Sequence, residues 1–333
     1  MKKLIFTLFV AFMATVVLRA QQIAVVNTNG STKLFRTLPD AINGADPGSV
    51  IYLPGGGFTI SDDVKITKKL TIIGIGHYVK GDNVDGNTTI GGNLHFNEGS
   101  SGSAVMGCYI TGDVRIGSDG AAVSDVLVRF CNLNRVDVYN NTCKETIVNQ
   151  NYIRDVSLFE GSNAIVTNNI MHSICDLDDG KIAYNVILHD ARTNSDTYGH
   201  GAHYFHGNGP FHICERTQIM NNVFRINSWS CDASNALSGN LSINNGNVEN
   251  NLPDGTDWND VFVNYNNATI SPESSFHFSE AYKQYETKCG IYAGTSFKDE
   301  QMAPVPYITF KDVPQETDAQ GKLNVRIRVS ANK

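Results

Sequence analysis

Through the middle of the chain, apolar and polar positions repeat in a short unit. Each unit holds an apolar residue, two variable residues, a Cys or Asn, one further residue and a second apolar residue. The examples are Val105-Met-Gly-Cys108-Tyr-Ile110, Val128-Arg-Phe-Cys131-Asn-Leu133, Val148-Asn-Gln-Asn151-Tyr-Ile153, Val166-Thr-Asn-Asn169-Ile-Met171, Ile182-Ala-Tyr-Asn185-Val-Ile187 and Ile219-Met-Asn-Asn222-Val-Phe224. The pivots Cys108, Cys131, Asn151, Asn169, Asn185 and Asn222 stand 23, 20, 18, 16 and 37 residues apart, the last gap being one coil plus an inserted loop. A period near twenty marks a solenoid. The units lack helical spacing and consist of short, β-branched segments separated by Asn, Gly or Asp, which reads as strands joined by turns. The leucine ladder of a leucine-rich repeat is absent. The pattern therefore predicts an all-β fold, a parallel β-helix whose turns lie ~4.8 Å apart. Like residues then stack on like, and a pivot asparagine hydrogen-bonds its copies above and below, as a buried amide must.

The two ends extend this picture. Leu38 to Asn43 is a short helix candidate, followed by an extended Val50–Leu53, a turn at Pro54–Gly57, and strands at Val64–Ile66 and Leu70–Ile73. A helix over the open end would shield the first coil from edge-to-edge pairing. Residues 303–333 read as a separate β appendage against the coil's far end. Pro304 and Pro306 punctuate a linker, Tyr307–Phe310 is a strand candidate, and Asp318–Gly321 is a turn. Leu323, Val325, Ile327 and Val329 then alternate with Asn324, Arg326, Arg328 and Ser330, a period-2 strand with a basic outer face.

Residues 1–20 read as a signal peptide: Lys2 and Lys3, an apolar run from Leu4 to Leu18, and a small Ala20. The run is too short for a standard membrane span, and no second membrane-length segment follows. Export to the periplasm, the outer surface or the medium is expected, leaving residues 21–302 as the β-helix. The leader holds three of the 26 basic and none of the 33 acidic residues, so its removal takes the net charge from −7 to about −10. That balance argues against a nucleic-acid partner, which needs a basic footprint. It also makes an anionic glycan harder to hold without a local arginine cluster or a cation. Seven cysteines (108, 131, 143, 175, 214, 231 and 289) show no zinc-ligand spacing, and buried free thiols are the expected state of most of them.

Leu38–Ala41, Val50–Gly57 and Leu70–Gly76 make a short helix, then Ile51-Tyr-Leu-Pro-Gly-Gly56, then a strand pair ending in Ile72-Ile-Gly-Ile-Gly76. In this the chain resembles the N-terminal coil of right-handed parallel β-helix proteins of the pectate-lyase-like superfamily. Ser275–Phe278 through Cys289-Gly-Ile-Tyr-Ala-Gly294 is similar to the closing coil of exported β-helix proteins of Bacteroidetes, with Ala293 in place of one glycine of their Gly-Ile-Tyr-Gly-Gly form. The likeness covers most of residues 23–300. It implies a fold rather than an activity, because the superfamily includes lyases, hydrolases, phage spikes and uncharacterised surface proteins. Its lyases use calcium, so calcium is the one cofactor the resemblance leaves open; nothing in the sequence fixes its ligands.

Function on a β-helix is expected in an outward groove along stacked turns. Three places after the pivots stand Thr111, Asn134, Arg154, His172, Leu188 and Arg225; one place further stand Gly112, Arg135, Asp155, Ser173, His189 and Ile226. If the pivots are in register, Arg135, Arg154, His172, His189, Asp190 and Arg225 share one face. Arg154, His172 and His189 are the candidate catalytic residues of a polysaccharide lyase. An arginine would neutralise a sugar carboxylate, and a neutral histidine would remove a proton. Arg135, Asp190, Arg225 and the histidines of the glycine-rich, aromatic loop 198–209 (His200, His203, His206) are candidate substrate-binding residues. The plain alternative is a solvated outer column with local ion pairs such as Arg154–Asp155. The histidine spacing matches no standard metal site. Asp176-Leu-Asp-Asp-Gly180 lacks the later glutamate of a calcium loop and reads as an acidic turn. No paired-carboxylate hydrolase motif stands out, and no Ser/His/Asp order can be argued from so many scattered serines. Binding or presentation at a polysaccharide or cell-surface glycan leads; a lyase or glycoside hydrolase, and a structural or adhesive surface protein, are the alternatives.

Overall fold

The structure is a computed structural model. It describes residues 22–78, 86–159, 162–188, 211–212, 214–225, 233–243, 248–253, 255–265, 274–294, 297, 306–314, 317, 320–323 and 325–331, without the side chains of 211, 212, 225, 307 and 331. The chain winds into a parallel β-solenoid of about 8 turns, all-β with few helices. One sheet stacks Ser49–Leu53, Leu70–Gly74, Ala104–Met106, Leu127–Arg129, Thr146–Asn149, Ala164–Thr167, Lys181–Ala183, Gln218–Met220 and Ala236–Ser238 in parallel. The second sheet starts one residue after each pivot, with Tyr109, Asn132, Tyr152, Ile170, Val186, Val223 and Leu241 side by side. The longer strands of this sheet bend and continue into a third face, which aligns Lys65, His95, Arg115, Asp137, Ser157 and Cys175.

Alternation fills the interior. Ile72, Val105, Val128, Val148, Val166, Ile182 and Ile219 point inward from the first sheet, and Leu94, Val114, Val136, Val156 and Ile174 from the third face, all fully buried. The pivots form the expected ladder, one turn longer than the sequence pattern showed. The amide N–H groups of Cys131, Asn151, Asn169, Asn185 and Asn222 donate at 2.8–3.0 Å to the carboxamide oxygens of Asn151, Asn169, Asn185, Asn222 and Asn240. The residue before each pivot takes left-handed backbone: Gly107, Phe130, Gln150, Asn168, Tyr184, Asn221 and Gly239 have φ between 53° and 67°. Five of these carry a side chain in a conformation that costs ~1–2 kcal/mol. The buried amide ladder closes each of these corners and offsets that strain.

The open N-terminal end is covered as expected, by more than a helix. Ile23–Val26 runs antiparallel to Ser49–Leu53 and to Thr32–Phe35, which stops parallel growth. The helix Leu38–Gly44 buries Leu38, Ala41 and Ile42 over the end of the core. Thr37 caps it, its Oγ1 accepting from the Asp40 amide. The turn expected at 54–57 is shorter, since Gly56–Thr59 already pairs with Thr88–Gly91.

Residues 275–294 depart from expectation. They do not close the last coil but pack sideways on the second sheet. A helical turn Trp258–Val261 leads into the antiparallel pair Phe262–Asn264 and Ser275–Phe278, then a 3-10 helix Glu280–Tyr285. Trp258, Phe262, Phe276, Phe278, Cys289 and Ile291 bury the outward side chains of Tyr152, Ile170, Val186, Val223 and Leu241. Polar contacts anchor this flank: the Gly290 amide donates to Asn221 O at 2.9 Å, and Asn168 Nδ2 donates to Ile291 O at 2.9 Å. The reason is chemical. The outward column is Thr89, Tyr109 and Asn132 in the early turns but apolar from Tyr152 onward, so those later strands need cover on both faces.

The C-terminal appendage is an antiparallel hairpin of Pro306–Asp312 with Arg326–Ala331. Its alternating residues stay open: Ile327 is 52% and Val329 61% exposed, so this strand face is not buried against the coil's end.

All six described cysteines are buried. Burial pushes the Cys131 and Cys289 thiols up to about 12. In the unfolded chain such thiols ionise near their ordinary 9.0, so between these values the unfolded state has shed protons that the fold keeps. Stability is therefore expected to fall as pH rises above 9. Melting temperatures at pH 8 and pH 10.5 check this, and the drop should be smaller in Cys131→Ala.

Candidate functional face

The third face carries a buried charged ladder. Asp113, Arg135, Asp155 and Ser173 are register partners on four successive turns. Asp113 accepts from Asn134 Nδ2 at 2.7 Å and from Arg115 Nη2 at 3.1 Å, and Arg135 Nη2 lies 3.8 Å from it. Arg135 Nε faces Asp137 Oδ1 at 3.2 Å. Arg154 Nε faces Asp155 Oδ2 at 3.4 Å, while Ser173 Oγ donates to Asp155 Oδ1 at 2.7 Å. The aspartates are all at most 7% exposed. Charges so far from water persist only when paired, and here each carboxylate has an arginine against it. Tyr139 closes the row; burial, then the nearby Asp137 carboxylate, pushes its phenol up to about 12, so it stays protonated.

The register corrects one expected alignment. Asp113 rather than Gly112 partners Arg135, because the strand slips between Ile110 and Asp113. Gly112 sits at that slip, where a side chain would meet Asn93 Oδ1 at 2.3 Å and Gly92 O at 2.7 Å. Asn93 Oδ1 instead accepts the Asp113 amide at 2.8 Å, which fixes the bend.

Three of the sequence-predicted site residues come together. Arg154 and His172 occupy the same corner on consecutive turns, the His172 amide donating to the Arg154 carbonyl at 2.8 Å. Arg135 lies one turn before Arg154 and one place further along the strand. Arg154 keeps 31% of its side chain open, whereas Arg135 keeps 11% and is committed to the ladder. The backbone of Arg225 pairs with Ile243 in the second sheet, and its side chain lies outside the described residues. His189, Asp190, His200, His203 and His206 also lie outside them. Asp176–Gly180 is a tight turn with Asp176 and Asp179 in left-handed backbone and Asp178 ion-paired to Arg216. Among the described residues, no group of three His, Cys, Asp or Glu is placed to hold a metal ion. No described helix is long and apolar enough to cross a membrane.

Sequence reasoning missed Arg115 and the two aspartates, Asp113 and Asp137, that hold arginines in place. Their signal was the alternation Asp113-Val-Arg115-Ile and Arg135-Val-Asp137-Val, two outward charges on either side of an inward valine. Comparisons with protein families, with curated proteins and with solved structures find no match. The fold and this face are therefore the basis for function.

Proposed function

We propose that this chain is an exported β-helix protein that binds or presents at a glycan surface through its third face. The observation that carries this reading is Arg154, a partly exposed guanidinium held by Asp155, which Ser173 fixes in turn. Arg115 is held in the same way on Asp113, with 23% of its side chain open. Such pre-set donors suit planar acceptors, sugar carboxylates above all, and lose little entropy on binding. The buried carboxylates are occupied by arginine and serine, which favours binding over acid–base hydrolysis.

A lyase is the second reading, favoured by His172 standing one turn from Arg154. One assay separates the two. The purified protein is titrated with uronic-acid polysaccharides while absorbance of an unsaturated product is followed. Binding without product is expected, about tenfold weaker in Arg154→Ala, the loss of one charge-assisted contact. Binding that ignores this substitution would refute the assignment of the face. Product formation that disappears in His172→Ala would replace binding with elimination.

A further inference from the structure

Toward the N-terminal turns, the third face joins three residues from three different coils. His95 Nδ1 lies 3.1 Å from Ser118 Oγ, and His95 Nε2 lies 3.3 Å from Asp62 Oδ1. Asp62 is held by Asn93 Nδ2 at 2.8 Å, and Ser118 Oγ is 3.0 Å from Asn97 Oδ1. The hydrogen bonds from Asn93 and then His95 lower the Asp62 pKa, so it is a carboxylate at neutral pH. Burial lowers that of His95, which favours the neutral ring.

These facts fix the protons. A carboxylate opposite Nε2 demands Nε2–H, so neutral His95 presents a lone pair at Nδ1. Ser118 must then donate its single hydroxyl hydrogen to Nδ1. Ser118 Oγ donates to Asn97 Oδ1 at 3.0 Å, and exchanging the oxygen and nitrogen of that carboxamide, which are equivalent in shape, frees the hydroxyl hydrogen for His95 Nδ1 and makes Nδ2 the donor to Ser118 Oγ. The result is a hydroxyl hydrogen-bonded to a base, with the base oriented by an anion, the arrangement that activates a serine. The ring nitrogens are used in the opposite sense to the protease triad. Ser118 is half-buried in the turn Gly117–Gly120, and among the described residues no protein group accepts the amide N–H of Ser118 or Asp119.

We propose that Ser118 and His95 are catalytic residues, and Asp62 a positioning residue, of an acyl-transfer site acting on carboxylic esters. Ser118 Oγ attacks the ester carbonyl as its proton passes to His95 Nδ1. The tetrahedral adduct collapses, the C–O bond to the alcohol breaks, and His95 returns the proton to the leaving alkoxide. Water then attacks the acyl-serine by the same route and releases the carboxylic acid. This inference is independent of the glycan reading.

The test uses the full chain with a fluorophosphonate probe, whose fluoride Ser118 Oγ would displace, and with p-nitrophenyl acetate. The adduct should map to Ser118 by mass spectrometry and vanish in Ser118→Ala. His95→Gln should slow labelling by about 10²-fold and Asp62→Asn by about tenfold. Asp62 is exposed, so its variant keeps the test valid should the buried His95 variant not fold. Asp62→Asn should also move the pH midpoint of labelling downward. The lost anion had favoured the imidazolium, against Lys65 and Arg115, the cations beside His95 in its column. An unlabelled Ser118, or labelling at one rate and one midpoint in wild type and Asp62→Asn, would overturn the proposal.

Discussion

Asn169→Leu is expected to destabilise the coil by about 3–5 kcal/mol. The Asn169 carboxamide is fully buried, and all of its donors and acceptors are engaged, with two of its three acceptors sharing one Nδ2 hydrogen. Its oxygen accepts the amide and the Nδ2 of Asn151, both at 3.0 Å. Its Nδ2 donates to Val148 O at 2.9 Å, Thr167 O at 3.0 Å and Asn185 Oδ1 at 3.1 Å. Leucine removes every one of these while leaving the Asn151 donors buried, each stranded group costing about 1–3 kcal/mol. It also leaves Asn168 in left-handed backbone without the amide that closes its corner. Urea denaturation reads the loss. Gln218→Leu, at an exposed position of the first sheet, is the control and should change stability by no more than about 0.5 kcal/mol. A change below about 1 kcal/mol in Asn169→Leu would mean that the ladder is not a stabilising feature.

Phe262→Ala should cost about 3–5 kcal/mol, and the loss should fall on the flank first. Phe262 is 1% exposed, stacks on Trp258 at 5.4 Å between centroids, and meets Phe276 and Phe278 at the same distance. Its removal opens a cavity in the cluster that covers the second sheet. The coil beneath keeps its own interior, because Ile153, Val166 and Ile182 belong to a separate core. Hydrogen exchange should therefore rise in 258–294 before it rises in 104–187. Simultaneous loss in both segments would show that flank and coil unfold as one unit.

Much of the solenoid was legible because its repeat is written in residue types that only one place in a turn accepts. Asparagine and cysteine at the pivot mark a buried corner, and the following apolar residues mark the next strand. The seventh pivot, Asn240, was missed because Ser242 stands where the unit calls for an apolar residue. The sideways flank was missed for a subtler reason. Val186-Ile187 and Ile170-Met171 put apolar side chains on both faces of one strand, which signals cover on the outside, but such short runs look like ordinary core. The bend at Gly112 shifts the register by one residue, and no periodicity reveals a slip of that size. Arg135, Arg154 and His172 were within reach of spacing alone since they follow regular pivots. Asp62, His95 and Ser118 were not. They lie on the early turns, where coil lengths vary and the pivot unit is not yet established, so only coordinates bring them together.

The account rests on the register that sets residues about twenty apart side by side, and spin labels test it most directly. Ile147 and Ile165 are register partners on adjacent turns, 37% and 45% exposed, and open to labelling after conversion to cysteine while the described native thiols stay buried. Neighbouring parallel strands lie ~4.8 Å apart. Labels at Ile147→Cys and Ile165→Cys should show strong dipolar broadening within one molecule, independent of protein concentration. Labels at Ile147→Cys and Leu237→Cys, several turns apart, should show far weaker broadening. Narrow, uncoupled spectra from the first pair would contradict the stacked coil and every side-chain column drawn from it.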